Sequence, residues 1–307
     1  MSIRRIGLVI RYSFPAFLRN GTGISYVFLT FVLGLLVIEP LLSVFESGIF
    51  PLKETLDLLE QSLRFMLAAA SLQASFGELL NMGEQQESMQ EYGTWAVYLL
   101  QDQPAMLSGV FAIEMLAIPL LIAVGAFNQL SGDLQYGAIR YQLLRVSRGE
   151  LFLGRFLGMT IFTWVLVSAV LAAVVVYSGL RLEDPDSGRA LYTWTELSSW
   201  GVRGIIAFMI LSLPYVALCS LISANVASPF GSLVLTSVII PGVPAIAFLA
   251  MEAWEPLGKI IYLSPWGIGH RLFHPETEQA IHASLGCLGY TVAYLAIGLF
   301  LFKRRDL

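Results

Sequence analysis

Charged side chains are scarce in this chain: they make up 13% of its 307 residues, against about 25% in soluble globular domains. That deficit excludes an ordinary soluble domain. Cysteine is nearly absent. Cys219 and Cys287 both lie inside apolar runs, as buried small hydrophobes would, so there is no disulfide framework and no paired-cysteine metal motif. A G-x-x-x-x-G-K-[ST] phosphate loop is missing. Gly258-Lys259 has no matching upstream glycine, so the chain has no ATPase site of its own. H-E-x-x-H and G-x-S-x-G are missing too, which argues against an intramembrane enzyme. No internal repeat is visible, and the membrane-depth acids are few, which disfavours a stand-alone secondary transporter. The first apolar stretch, from Ile24, starts too late and runs too long for a cleavable signal, and it lacks a small-x-small cleavage site.

What the chain has instead is hydrophobic residues, 56% of the total. They fall into six runs of the length a bilayer requires. These predict TM1 over residues 24–50, its apolar core ending near Phe45, and TM2 over 106–130. TM3 follows over 156–180, TM4 over 202–222, TM5 over 231–250 and TM6 over 285–302. The expected fold is therefore an all-α integral membrane protein with six transmembrane helices. Leu63–Leu80 is apolar but interrupted by Arg64, Gln73 and Glu78. It reads as an amphipathic helix of a helical external insert, residues 51–105, and not as a seventh span.

Basic residues orient these spans. Arg4, Arg5, Arg11 and Arg19 precede the first, and Arg140, Arg145, Arg148 and Arg155 separate the second and third. Lys303, Arg304 and Arg305 follow the sixth. These are eleven of the 18 basic residues, and six spans put all of them on one face. Both termini, the 131–155 connector and the 223–230 loop are expected to be cytoplasmic, and the 181–201 loop external. Trp95, Trp194, Trp200, Trp254 and Trp266 fall in or beside external loops, where an interfacial belt would hold them. Residues 1–23 form an amphipathic segment whose cations suit anionic lipid, with Pro15 as a kink.

The connector, LSGDLQYGAIRYQLLRVSRGELFLGRF from Leu130, carries the most specific pattern. Its order is Asp133, Gly137-Ala138, Leu143-Leu144, Ser147-Arg148 and Gly154-Arg155. This resembles the signature of ABC-2 type transporter permeases, with Ala138 where a Thr is usual and Val146 where many members have Pro. The chain's end, Phe302-Lys303-Arg304-Arg305-Asp306-Leu307, is also similar to that family. The resemblance implies an N-terminal interfacial elbow helix and a cytoplasmic coupling helix that docks on a separate ABC ATPase subunit. It further implies re-entrant gate helices over 251–284. The expected function is the membrane-spanning permease subunit of an exporter. Such a subunit works as a homodimer or with a paralogue, in the bacterial cytoplasmic (inner) membrane. ATP and Mg would sit on the partner, with no cofactor in this chain, and nucleic acid is not an expected partner. The 51–105 insert lies beyond the resemblance. It leaves room for an external partner, and for a scaffold that transmits ATPase work without transport.

Residue by residue, Leu134, Ile139, Leu143 and Leu144 share helical spacing and predict an apolar face. Arg140, Arg145 and Arg148 would project toward acidic partner groups. Gly137 would allow close backbone approach, and Gly149 would end the helix. Asp133, Gly137, Arg140, Leu143, Leu144, Arg145 and Arg148 form the expected docking set; a lipid-binding basic loop is the alternative. Glu39 and Glu114, both in outer halves of spans, are the candidate translocation-path residues, unless one snorkels and the other is bonded between helices. Pro119, Pro214, Pro241 and Pro244 predict kinks, static or mobile. His270 and His274, four apart, could share a helical face as metal ligands, but no third ligand is fixed by spacing, and solvated or interfacial histidines are the default.

Overall fold

A computed structural model of the chain describes residues 2–19, 24–28, 30, 32, 105–181, 193–253, 264–274 and 276–305. Most of the first expected span with Glu39, the insert, most of the 181–201 loop and the last two residues lie outside the described residues. Among those described, the chain is all-helical and has no strand. Five stretches are long and apolar enough to cross a membrane, which makes this a multi-pass membrane protein.

The elements are α1 (Ile3–Arg19), α2 (Ala105–Ala126), α3 (Ser131–Gln135), α4 (Ala138–Leu143) and α5 (Arg148–Arg181). After them come α6 (Trp194–Asn225), α7 (Pro229–Ala253), α8 (Trp266–Gly269), a 3-10 turn (His270–Phe273) and α9 (Thr277–Arg304). The membrane-crossing stretches are α2, α5, α6, α7 and α9; the first is apolar from Ala117 through the turn to Gln135, although the helix proper ends at Ala126. Residues 24–28 are also helical, and Tyr26 lies buried on Gly125 of α2 and beside Phe162 of α5.

Local chemistry sets where the helices start. Thr193 caps α6: its side chain accepts from the Glu196 N–H, and the Glu196 carboxylate accepts from the Thr193 N–H. Pro229 opens α7, where its missing N–H costs nothing. Ser147 and Glu150 make the same reciprocal pair at the start of α5. That pair starts the helix eight residues before the expected third span, so α5 runs through the connector's end into the membrane. Its 34 residues measure about 50 Å, against about 30 Å of hydrocarbon.

Helix α6 is the centre of the bundle. It packs on α2, α5, α7 and α9, and its inner face is buried along its whole length. Small residues allow close approach: a Cβ on Gly204 would strike the Phe111 ring of α2. Phe111, Trp200, Phe208 and Phe273 form an aromatic cluster at this level, with ring centroids 5.1–5.7 Å apart. Trp200 and Trp266 are thus buried in the core, and only Trp194 of the expected belt is exposed among those described. Helix α1 runs parallel to α5, with Val9 on Gly154, Ser13 on Gly158 and Phe17 stacked near Phe162. The equal steps of four residues align one turn with one turn. Arg4, Arg5 and Arg11 stay exposed, and the helix continues through Pro15.

Candidate functional site

The connector folds as a short hairpin of two helices at one end of the bundle. It is anchored on entry: the Leu130 and Ser131 N–H groups donate to the Ser223 hydroxyl near the end of α6, at 2.8 and 3.0 Å. Gly137 separates α3 from α4 with φ 68°, and a Cβ there would meet open space. It therefore serves the left-handed turn and not close packing. The turn at 144–146 ends α4, and Gly149 sits in the first turn of α5, where it starts a helix in place of ending one.

Most of the connector's signature charges bond inside the chain. The Arg155 Nη2 donates to Asp133 Oδ2 at 2.6 Å, and the Gln142 amide donates to the same oxygen at 3.0 Å. Asp133 thereby ties α3 to α4 and to α5. Arg148 Nη1 donates to the carbonyls of Lys303 and Arg305, each at 2.7 Å, with that of Phe302 at 3.4 Å. A guanidinium at a helix C-terminus satisfies orphan carbonyls and opposes the dipole. Glu150 accepts from the Ser2 N–H at 2.7 Å and the Ser147 N–H at 2.9 Å. The N–H of Ser2 and that of Ser147 hold its carboxyl at about 2, below the usual carboxylate range; burial opposes them, and the Ser147 side chain and Arg5 assist.

The apolar positions split in the same way. Ile139 is buried, and Leu134 and Leu143 are half-buried against a small core of this chain: Leu130, Leu151, Phe152, Ala224 and Phe302. Leu144 alone of the four faces solvent, 83% exposed. With it, Tyr136, Arg140, Tyr141 and Arg145 make the outward surface. Neither arginine has an ion pair among the described residues. A cleft of about 430 Å³ opens beside them, lined by Tyr136, Gly137, Arg140 and Arg305 among others.

The remaining candidates lie apart from this face. Glu114 is buried on α2, next to Phe111 and Met115 of the main core. Helices α2, α6 and α7 continue through Pro119, Pro214, Pro241 and Pro244. His270 opens the 3-10 turn and His274 follows it in extended backbone, so they do not share an α-helical face. His274 is buried: its Nδ1 accepts from the Glu276 N–H at 3.1 Å, and its carbonyl accepts from Arg203 at 2.6 Å. No group of three metal-ligating side chains occurs among the described residues. Trp266, Leu272 and Phe273 of the expected gate segment are buried, and this segment packs on α6 and α9.

Sequence reasoning missed the internal use of Arg148 and Arg155 and both capping boxes. The boxes were readable as Ser147-x-x-Glu150 and Thr193-x-x-Glu196; the arginine contacts link positions up to 157 residues apart and left no local signal. The sequence matches no protein-family model and no curated protein.

Proposed function

We propose that the chain is the membrane-spanning permease subunit of an ATP-driven transporter of the ABC-2 type, an exporter energised by a separate ATPase subunit. One observation carries the reading. The connector's internal bonds brace a helical hairpin whose outward face is left with two arginines, two tyrosines and Leu144. A braced surface of this composition suits an acidic, grooved partner, because a guanidinium fork makes paired bonds to one carboxylate and a tyrosine ring offers a large contact with few rotatable bonds. ATP and Mg would reside on that partner, and a second copy or a paralogue would complete the permease. The working docking set is Arg140, Leu144 and Arg145 with Tyr136 and Tyr141; Asp133, Gly137, Leu143 and Arg148 hold its shape.

Six spans, with elbow and coupling helices on the cytoplasmic face of a bacterial inner membrane, complete the proposal. It is supported by where the ends meet: α1, both ends of the connector, the end of α6 and the end of α9 are joined by hydrogen bonds. An unpaired extra crossing between residues 32 and 105 would separate α1 from the connector. Glu114, with Glu39, is assigned to the translocation path.

Purification in mild detergent tests this. Co-elution of an ATPase is expected, with its association lost in the double charge reversal Arg140→Glu, Arg145→Glu. A chain that elutes alone and moves substrate without ATP refutes the proposal. Glu39→Gln and Glu114→Gln, each leaving transport unchanged, would remove those two residues from the path.

A further inference from the structure

The connector does not merely touch the bundle; it is closed into a ring with the ends of two long helices. Arg148, first residue of α5, grips the last carbonyls of α9. Arg305, just past α9, donates from Nη1 to the Ala224 carbonyl at the end of α6, at 3.0 Å. The neighbouring Ser223 hydroxyl takes the Leu130 and Ser131 N–H groups, which returns the circuit to the connector's start. Every joint is a hydrogen bond onto a helix end or turn, where backbone groups lack intrahelical partners.

Inside the ring the packing is equally close. Leu130, Ile139, Leu151, Phe152, Ala224 and Phe302 form a core separate from the main one, drawing on each element of the ring. The Phe152 and Phe302 rings lie 6.1 Å apart. A Cβ on Gly298 would come 2.8 Å from Phe152 Cζ and 3.1 Å from the Leu221 Cα, so α5, α6 and α9 meet there at backbone distance. An apolar core bounded by hydrogen-bonded joints moves as one body or opens at a joint, because packed interiors deform in discrete steps.

We infer that Arg148 and Arg305 act in series as positioning residues. They couple the connector to α9 and then to α6, so a push on the connector is delivered to the helix that packs on α2, α5, α7 and α9. This rests on the transporter reading for the source of the push; the coupling itself does not. Neither arginine needs to touch the ATPase or a substrate.

Amide exchange on the full chain in detergent tests the coupling. Arg148→Gln is expected to speed exchange by about tenfold, both at the last turn of α9 and at the Leu130, Ser131 and Val226 amides. Arg140→Gln, on the outward face, should leave all of them unchanged. Ser223→Ala combined with Arg148→Gln should be non-additive at Val226. Loosening confined to α9, or strict additivity, overturns the inference. If Arg148→Gln does not fold, Arg305→Gln decides the matter: exchange must rise at Val226 and at Leu130–Ser131 together, and a rise at Val226 alone overturns it. In the complex with its ATPase, a non-hydrolysable ATP analogue should alter Val226 exchange in the wild type. Arg305→Gln, outside the docking set, should abolish that response while still retaining the ATPase, and a preserved response would overturn the serial role. Failure to retain any ATPase in the wild type would instead refute the transporter reading, and the ring would stand or fall on the first measurement.

Discussion

Two glycines separate backbone conformation from space. Gly137 holds φ 68° with nothing near its Cβ position, so Gly137→Ala should cost about 1 kcal/mol, the left-handed penalty alone. Gly298 has ordinary helical backbone but faces Phe152 and the Leu221 backbone, so Gly298→Ala should cost more, about 1–3 kcal/mol by overpacking. Thermal melting in detergent should rank Gly298→Ala below Gly137→Ala, and the reverse order would contradict the packing described. Glu150 makes a pH prediction, since it lies in the connector, before the expected third span over 156–180. Its folded pKa, about 2, is below the ordinary 4.5, so its stabilisation is fully present above 4.5 and fades as pH falls toward 2. Spin labels at the exposed Ile3 and Tyr141 should hold a fixed separation at neutral pH and broaden through that window. Glu150→Gln should broaden them at every pH; a variant matching the wild type would remove Glu150 from the anchor. Individual roles of this kind were only partly legible. Asp133, Gly137, Arg148 and Arg155 stood out by spacing, but whether a guanidinium faces a partner or a carbonyl of its own chain depends on distant residues, 81 positions away for Arg305 and up to 157 for Arg148.

Helix periodicity is similarly one-sided at the scale of elements. The spacing of Leu134, Ile139, Leu143 and Leu144 marked an apolar face, yet three of the four cover the chain's own small core and only Leu144 remains outward. Spacing reports that a face is buried, not by what. The N-terminal helix shows the same limit. Its amphipathic pattern was plain, but its seat on α5 depends on Gly154 and Gly158, which have no side chain to advertise a contact. Gly158→Leu should unseat α1 by filling the space of Ser13, and trypsin should then cut at Arg11 faster than in the wild type. Equal cutting rates would show that α1 is held elsewhere. Tryptophan was misjudged for a related reason. Loop position suggested an interfacial belt, but Trp200 and Trp266 contribute their rings to the core, against Phe111 and Tyr215.

At the scale of the whole molecule, the arrangement of ends makes a topology prediction. With Cys219 and Cys287 replaced by serine, a cysteine at Tyr136 should be shielded from an impermeant maleimide in intact cells, and one at Thr195 should react. Labelling in the opposite sense would invert the proposed orientation. The sequence by itself determined that this is a helical multi-pass membrane protein and roughly where the five long apolar helices among the described residues lie. It also marked the arginine-rich connector as the segment proposed to meet another protein. Those properties follow from transfer free energy and helical period, which are local sums along the chain. Only the tertiary structure decided that α6 is the centre, that Arg148 and Arg155 turn inward while Arg140 and Arg145 turn outward, and that the connector closes a ring with α6 and α9. These depend on which distant carbonyl or carboxylate a cation can reach, a distance that exists only once the helices have packed.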